Sequence, residues 1–431
     1  MSTPVAPASA RRIHPAWVIA AVAFLALLAA AGFRAAPGAL MVPLHHEFGW
    51  STSIMSLAVS INLLLFGLTA PFAAALMDRF GIRRVIAVAL ALIAAGAGLT
   101  VFATASWQLL LTWGLLIGLG TGSMALVFAA TIANRWFVKR RGLVMGVLTA
   151  GSATGQLILL PPVAAIADTA GWRPASVLIA AVAVLAVPLV WLLLRDHPHD
   201  LGVAPYGSDA SAAPAAPVRH TGSAARRALQ GLASAAKRPA FWALAGAFAI
   251  CGATTNGLVG IHFIPSAHDH GMAPTVAAGL LAVVGVFDIV GTIASGWLTD
   301  RVDPRLLLAV YYSFRGLGLL LLPWLLSDTV HPTMVAFVVI YGLDWVATVP
   351  PTAALCREIF GDQGTIVFGW VFASHQVGAA IAAFAAGLIR DTLGTYTYAW
   401  WGGAALCVVA AVLSVVIVRA RAEAPEPQPM S

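Results

Sequence analysis

Four charged side chains stand inside otherwise apolar runs: Arg34 in AAAGFRAAPG, Asp288 in VGVFDIVGT, Arg315 in YYSFRGLGL and Asp344 in VIYGLDWVATVPP. An ion at the centre of an apolar span costs roughly 2.5 to 3.5 kcal/mol on insertion scales, so such groups persist where they face a wet cavity or a partner. A guanidinium offers five donors in a planar fork that matches a carboxylate. A carboxylate in the same setting can take up and release a proton. These residue types point to anion recognition and proton exchange rather than to bond making. The sequence HHE at 45–47 lacks the H-E-x-x-H metal pattern, and HDH at 268–270 falls in a short loop. Cys251, Cys356 and Cys407 are scattered singly, without disulfide or zinc spacing, and read as small packing residues. No enzyme, metal or cofactor is expected.

The elements that must position these groups follow from composition. Of 431 residues, 60% are apolar and 10% charged, far below the quarter or so that a soluble domain carries. The chain reads as a polytopic membrane protein in contact with the lipid bilayer. Its net charge of +7 lacks the aromatic-interleaved basic patch of a nucleic-acid binder, so no nucleic acid is expected. Apolar stretches long enough to span a bilayer recur at 17–44, 52–77, 84–104, 107–134, 142–167, 174–194, 240–265, 274–298, 305–326, 332–356, 364–389 and 396–418. The first is too long for a cleaved signal peptide and lacks a cleavage site. The all-α fold expected is therefore twelve transmembrane helices.

One long polar break divides them. Residues 1–195 form an N-terminal half of six helices, 196–238 a flexible Ala-, Ser-, Pro- and Arg-rich linker, and 239–431 a second six-helix half with a short tail. Of the 24 Lys and Arg residues, 20 fall at the termini, in the linker or after even-numbered helices, only Arg173 and Arg390 fall on the opposite side, and Arg34 and Arg315 lie within helices. That bias places both termini in the cytoplasm. The halves repeat each other: Asp78 and Asp300 are 222 apart, and Phe137 and Phe360, Gly146 and Gly369, Gly155 and Gly378, and Asp168 and Asp391 are each offset by 223. Parallel six-helix repeats with a midplane site between them are one transporter architecture.

With these features the chain resembles the major facilitator superfamily over essentially its whole length. AALMDRFGIRR is similar to the family's G-x-x-x-D-R-x-G-R-R loop, with Ala74 in place of the first glycine and Asp78, Arg79, Gly81, Arg83 and Arg84 matching. Gly296, Asp300, Arg301 and Arg305 match it less fully after helix eight. The resemblance implies that these residues form a conformational latch. PLHHEFGWS, RWFVKRRGLVMGVLTAGSATG and FDIVGT look most like the bacterial monocarboxylate-porter-like group. Two departures matter. Thr292 stands four residues after Asp288 where monocarboxylate transporters carry arginine, and Gly38 follows Pro37 where a lysine is expected.

The resemblance implies a secondary active transporter, a functional monomer in the bacterial inner membrane. Its two halves rock about a midplane site to move a small organic anion with protons. An exchanger or exporter of an amphipathic molecule, or a non-transporting sensor of the same fold, is the alternative. On this frame Arg34, on cavity-lining helix one, is expected to clamp the anion, its other reading being a permanent partner for a buried acid. Arg315 on peripheral helix nine is expected to pair with Asp288. Asp344 on helix ten is expected to carry the coupling proton, with Asp288 and His375 next in line. Asn256, His262, His375 and Gln376, with Gln156, are candidates for the polar lining, although lone helical histidines more often serve as satisfied hydrogen-bonding residues. Trp345, Trp370 and Phe33 are expected to border an apolar pocket.

Overall fold

The computed structural model describes residues 14–124, 126–208 and 224–417; the tail and the middle of the linker lie outside the described residues. Twelve helices among the described residues are long and apolar enough to cross a bilayer. Helices one to six are Pro15–Phe48, Thr52–Phe80, Ile82–Thr100, Trp107–Trp136, Arg141–Thr169 and Trp172–Leu193. Helices seven to twelve are Pro239–Asp269, Pro274–Thr299, Pro304–Leu325, Pro332–Phe360, Gly364–Leu393 and Thr397–Val416. An even number of crossings leaves both ends of the described chain on one face.

Local chemistry sets the short connections. Helices one, seven, eight, nine and ten open on a proline, which needs no donor in a first turn and already has helical φ. Ser51 and Asp303 supply side-chain acceptors to the starts of helices two and nine. Gly49 and Gly394 end helices one and eleven in the left-handed conformation, at φ 65° and 73°, which turns the chain at once into the next span.

The internal repeat is visible as matched close packing. Gly155 of helix five faces the Leu28 carbonyl of helix one, and its counterpart Gly378 of helix eleven faces the Ala249 carbonyl of helix seven. A Cβ at either glycine would collide with that carbonyl. Small residues let backbones approach where lipid supplies no hydrophobic drive. The two halves meet through helix two against helix eleven, helix one against helix seven and helix five against helix eight.

Both described ends of the linker are ordered. A turn at Pro198–Leu201 leads to Tyr206, whose N–H donates to the Trp136 carbonyl at 2.8 Å and whose ring packs on Trp17 and Phe137. A helix at Ala224–Ala235 then lies against helices two and eleven, where Trp370 Nε1 donates to the Ala228 carbonyl at 2.8 Å. The Ala- and Pro-rich composition concealed this order, because it comes from a few aromatic and backbone contacts.

Candidate functional site

A cavity of about 830 Å3 lies between the halves. Its walls run from Pro37, Val59 and Leu160 in mid-span to Leu143, Gly146 and Ile293, so it reaches toward the face that carries the chain ends. The opposite end is shut. There Asp391 of helix eleven accepts from the Thr52 and Ser53 N–H groups at 3.1 and 2.6 Å, capping helix two from the other half. Ser60 Oγ donates to the Ala380 carbonyl at 2.7 Å, and His46 meets His268 edge-on with ring centroids 6.0 Å apart. The repeat does not reproduce the cap. Pro274 stands 222 residues after Thr52, and a proline has no N–H to offer.

Arg34 lines the cavity, its guanidinium 4.4 Å above the centre of the Phe66 ring. Among the described residues no carboxylate lies within ion-pair distance of it. The ring supplies cation–π attraction, which desolvation strengthens but which leaves the planar donors unmatched.

Helix ten is broken where a continuous span was expected. Its first part ends at Asp344 and its second starts at Val349, with Pro350 and Pro351 in the first turn. Backbone groups freed inside a membrane must find partners. Arg315 Nη2 donates to the Asp344 carbonyl at 2.6 Å, Ser295 Oγ to the Ala347 carbonyl at 2.5 Å, and the Val346 N–H donates to Asp288 Oδ1 at 3.0 Å. The break thus explains why charges gather on three neighbouring helices.

The ion pair differs from the expected one. Arg315 Nε donates to Asp344 Oδ2 at 2.6 Å, both side chains almost wholly buried, and Nη1 to Cys251 Sγ at 3.0 Å. Asp288 instead accepts from Thr292 Oγ1 at 3.0 Å and from Val346, so the Asp288–Arg315 tie is corrected to Asp344–Arg315. Asp288, Cys251 and Thr348 line the cavity and Asp344 lies behind that wall, which removes the positional ground for Asp344 as proton carrier. Removing one member of a buried pair leaves an uncompensated charge. Asp344→Asn and Arg315→Met are each expected to destabilise by about 3 to 5 kcal/mol, and the double variant to recover part of that loss, as read by thermal unfolding in detergent. Strictly additive losses would refute a coupled pair.

Of the polar candidates, Asn256, Gln156, His375 and Gln376 reach the cavity wall. His262 does not. It is fully buried, donating from Nε2 to the Ala383 carbonyl at 2.8 Å while Nδ1 lies 3.4 Å from the Tyr396 hydroxyl, and so ties helix seven to eleven and twelve. His375 Nδ1 and both amide atoms of Gln376 are buried without a partner among the described residues. Phe33 and Trp345 border the cavity, whereas Trp370 faces the linker helix. Phe66, Phe372 and Asn62 also line it, and Asp391 closes its far end. Nothing in their spacing marks the first three, because single phenylalanines and asparagines recur in apolar helices; the offset of Asp168 and Asp391 was the one available sign of the fourth.

The loop motifs lie on the face that carries the chain ends. Asp78 pairs with Arg135 of helix four at 2.5 Å, the Arg83 N–H donates to Asp196 at 2.9 Å, and the Asp196 carboxylate fills the space beside Gly81. Arg79 lies over Phe80, and Arg84 follows in the first turn of helix three. After helix eight, Asp300 ends the helix, Arg301 stacks on Trp297 at 4.1 Å and Arg305 pairs with Asp303 at 2.9 Å.

The Major Facilitator Superfamily model matches residues 22–368 and 267–431. An uncharacterised MFS-type transporter, YcxA of Bacillus subtilis, is 26% identical over 93% of this chain and 94% of its own. Monocarboxylate transporter 12-B of Danio rerio is 30% identical over 82% of this chain and 76% of its own, and monocarboxylate transporter 11 of Mus musculus 29% over 88% and 82%. Among solved structures, a D-xylose-proton symporter superposes with a TM-score of 0.70 at 16% identity, covering 93% of this chain and 98% of that one. The xylose transporter XylE from E. coli in an inward open conformation gives 0.69 at 14% identity, over 95% and 98%.

Proposed function

The chain belongs to the Major Facilitator Superfamily, a membrane transporter and not an enzyme, and on that premise we propose that it carries organic carboxylates with protons by alternating access. The observation behind this reading is Arg34: a guanidinium in the cavity wall with no acidic partner among the described residues, while Arg315 is fully engaged by Asp344. The relatives named as monocarboxylate transporters support the same substrate class. Asp288 takes the role first expected of Asp344, because it is the mid-span carboxylate that lines the cavity. Its two hydrogen bonds, from Thr292 and Val346, hold it at the broken helix.

The charge balance links the two ligands. Arg315 and Asp344 cancel, leaving Arg34 and Asp288 as opposite charges on the cavity wall. An anion on Arg34 leaves the cavity wall with a net negative charge, and a proton on Asp288 restores neutrality. Proton and anion then bind cooperatively, each raising the other's affinity by the same factor. With basic loops on the cytoplasmic side of a bacterial inner membrane, the cavity described here opens inward. The loop residues Asp78, Arg79, Gly81, Arg83, Arg84, Asp300 and Arg301 serve as the latch that exchanges partners when the halves rock, and the carrier works as a monomer.

Reconstitution into lipid vesicles tests the reading. Saturable uptake of labelled carboxylates, stimulated by an inward proton gradient and absent for the corresponding neutral amides, is the expected result. Binding without any saturable flux would instead favour a sensor built on a transporter fold.

A further inference from the structure

Four side chains in the cavity wall form a continuous ladder across the boundary between the halves. Arg34 stacks on Phe66 of the first half; Phe66 meets Phe372 of the second half with centroids 6.4 Å apart; Phe372 lies parallel to the His375 ring at 5.8 Å and 3°. Phe248 also packs on His375, with ring centroids 4.9 Å apart. Two rings therefore separate the cation from a second polar group. Beside His375, Gln376 is 1% exposed, and its stem is wedged against Gly67 of helix two, where an added Cβ would come within 2.6 Å of it.

That second group has unmet hydrogen-bonding capacity. The nitrogen and oxygen of the Gln376 amide and the Nδ1 of His375, itself 8% exposed, have no partner among the described residues. Buried polar atoms are almost always satisfied, and an unsatisfied pair in a ligand-sized cavity calls for a partner brought from outside. A carboxylate alone accepts only and cannot serve both ends of an amide, whereas a hydroxyl donates and accepts. The two phenylalanine rings between the poles favour an aromatic body over a short aliphatic one.

We propose that the preferred cargo is an aromatic carboxylate bearing a hydroxyl set apart from the carboxylate, with Arg34 holding the anion, Phe66 and Phe372 the ring, and Gln376 with His375 the hydroxyl. This rests on the reading of Arg34 as the anion's partner. Because Arg34 and Phe66 belong to one half and Phe372, His375 and Gln376 to the other, such a molecule bridges the two bodies that must move.

Three probes separate the contributions: propionate, phenylpropionate and para-hydroxyphenylpropionate, titrated onto the purified full chain by calorimetry. In the wild type phenylpropionate should bind about tenfold or more tighter than propionate, and the hydroxylated acid about tenfold or more tighter again. Gln376→Leu should erase the second step, so that the two aromatic acids bind this variant alike, with thermal unfolding as the control for folding; Gln376→Met provides the same readout with an unbranched stem. Arg34→Lys should weaken both aromatic acids by a common factor and preserve their ratio. Equal affinities of the two aromatic acids in the wild type, with Arg34 dependence intact, would mean that water alone occupies the Gln376 site and would overturn this inference. Affinities insensitive to Arg34 would overturn the anion reading beneath it, and failure of all three probes to bind would overturn both.

Discussion

Arg34→Ala should bind and transport carboxylates at least about thirtyfold less well than the parent, since truncating one side of a buried charge-assisted contact costs about 2 to 5 kcal/mol. The fold should survive. Arg34 makes no ion pair among the described residues, so its removal strands no acid and relieves the cost of keeping a cation in mid-span. Arg34→Lys keeps the charge but loses the planar fork and should fall between the two. Carboxylate affinity by calorimetry, with thermal unfolding as the control for folding, checks both variants. Unchanged affinity in a folded Arg34→Ala protein would remove the anion clamp, and a marked loss of stability would recast Arg34 as a structural cation.

Asp288→Asn should separate exchange from accumulation. Asparagine keeps an acceptor for the Val346 N–H and the Thr292 hydroxyl, so the broken helix stays anchored, but it cannot release a proton. Vesicles carrying this variant should still exchange labelled for unlabelled substrate, a cycle that never requires deprotonation. They should fail to concentrate substrate under an inward proton gradient, where the parent accumulates it severalfold. Gradient-driven accumulation retained in Asp288→Asn would move coupling to another group, and a loss of exchange as well would make Asp288 part of the binding site.

Most of the fold was legible in the chain because membrane spans are read from runs of about twenty apolar residues, a signal that tertiary packing does not override. The repeat was legible for a related reason: glycines such as Gly155 and Gly378 serve equivalent close approaches, so their offset reflects geometry. Arg34 could be placed on the cavity because an unpaired ion has few tolerable locations. Pairing among Asp288, Arg315 and Asp344 was a different problem. Position along a span gives depth but not azimuth, and the deciding event, the break at 345–348, depends on which helices stand beside the freed backbone. His262 was misplaced on the lining for the same reason, since half a turn separates a cavity wall from a buried helix contact.

The Arg315–Asp344 pair also bears on how the protein is made. Arg315 is synthesised 29 residues ahead of the carboxylate that neutralises it, on a helix that ends at Leu325, and the next span begins at Pro332. Helix nine released alone into the bilayer would carry a bare guanidinium at about 2.5 to 3.5 kcal/mol above a neutral span. Helices nine and ten entering together as a hairpin present a cancelled charge instead. The contact that braces the broken helix in the finished molecule thereby also favours insertion of helices nine and ten as one unit.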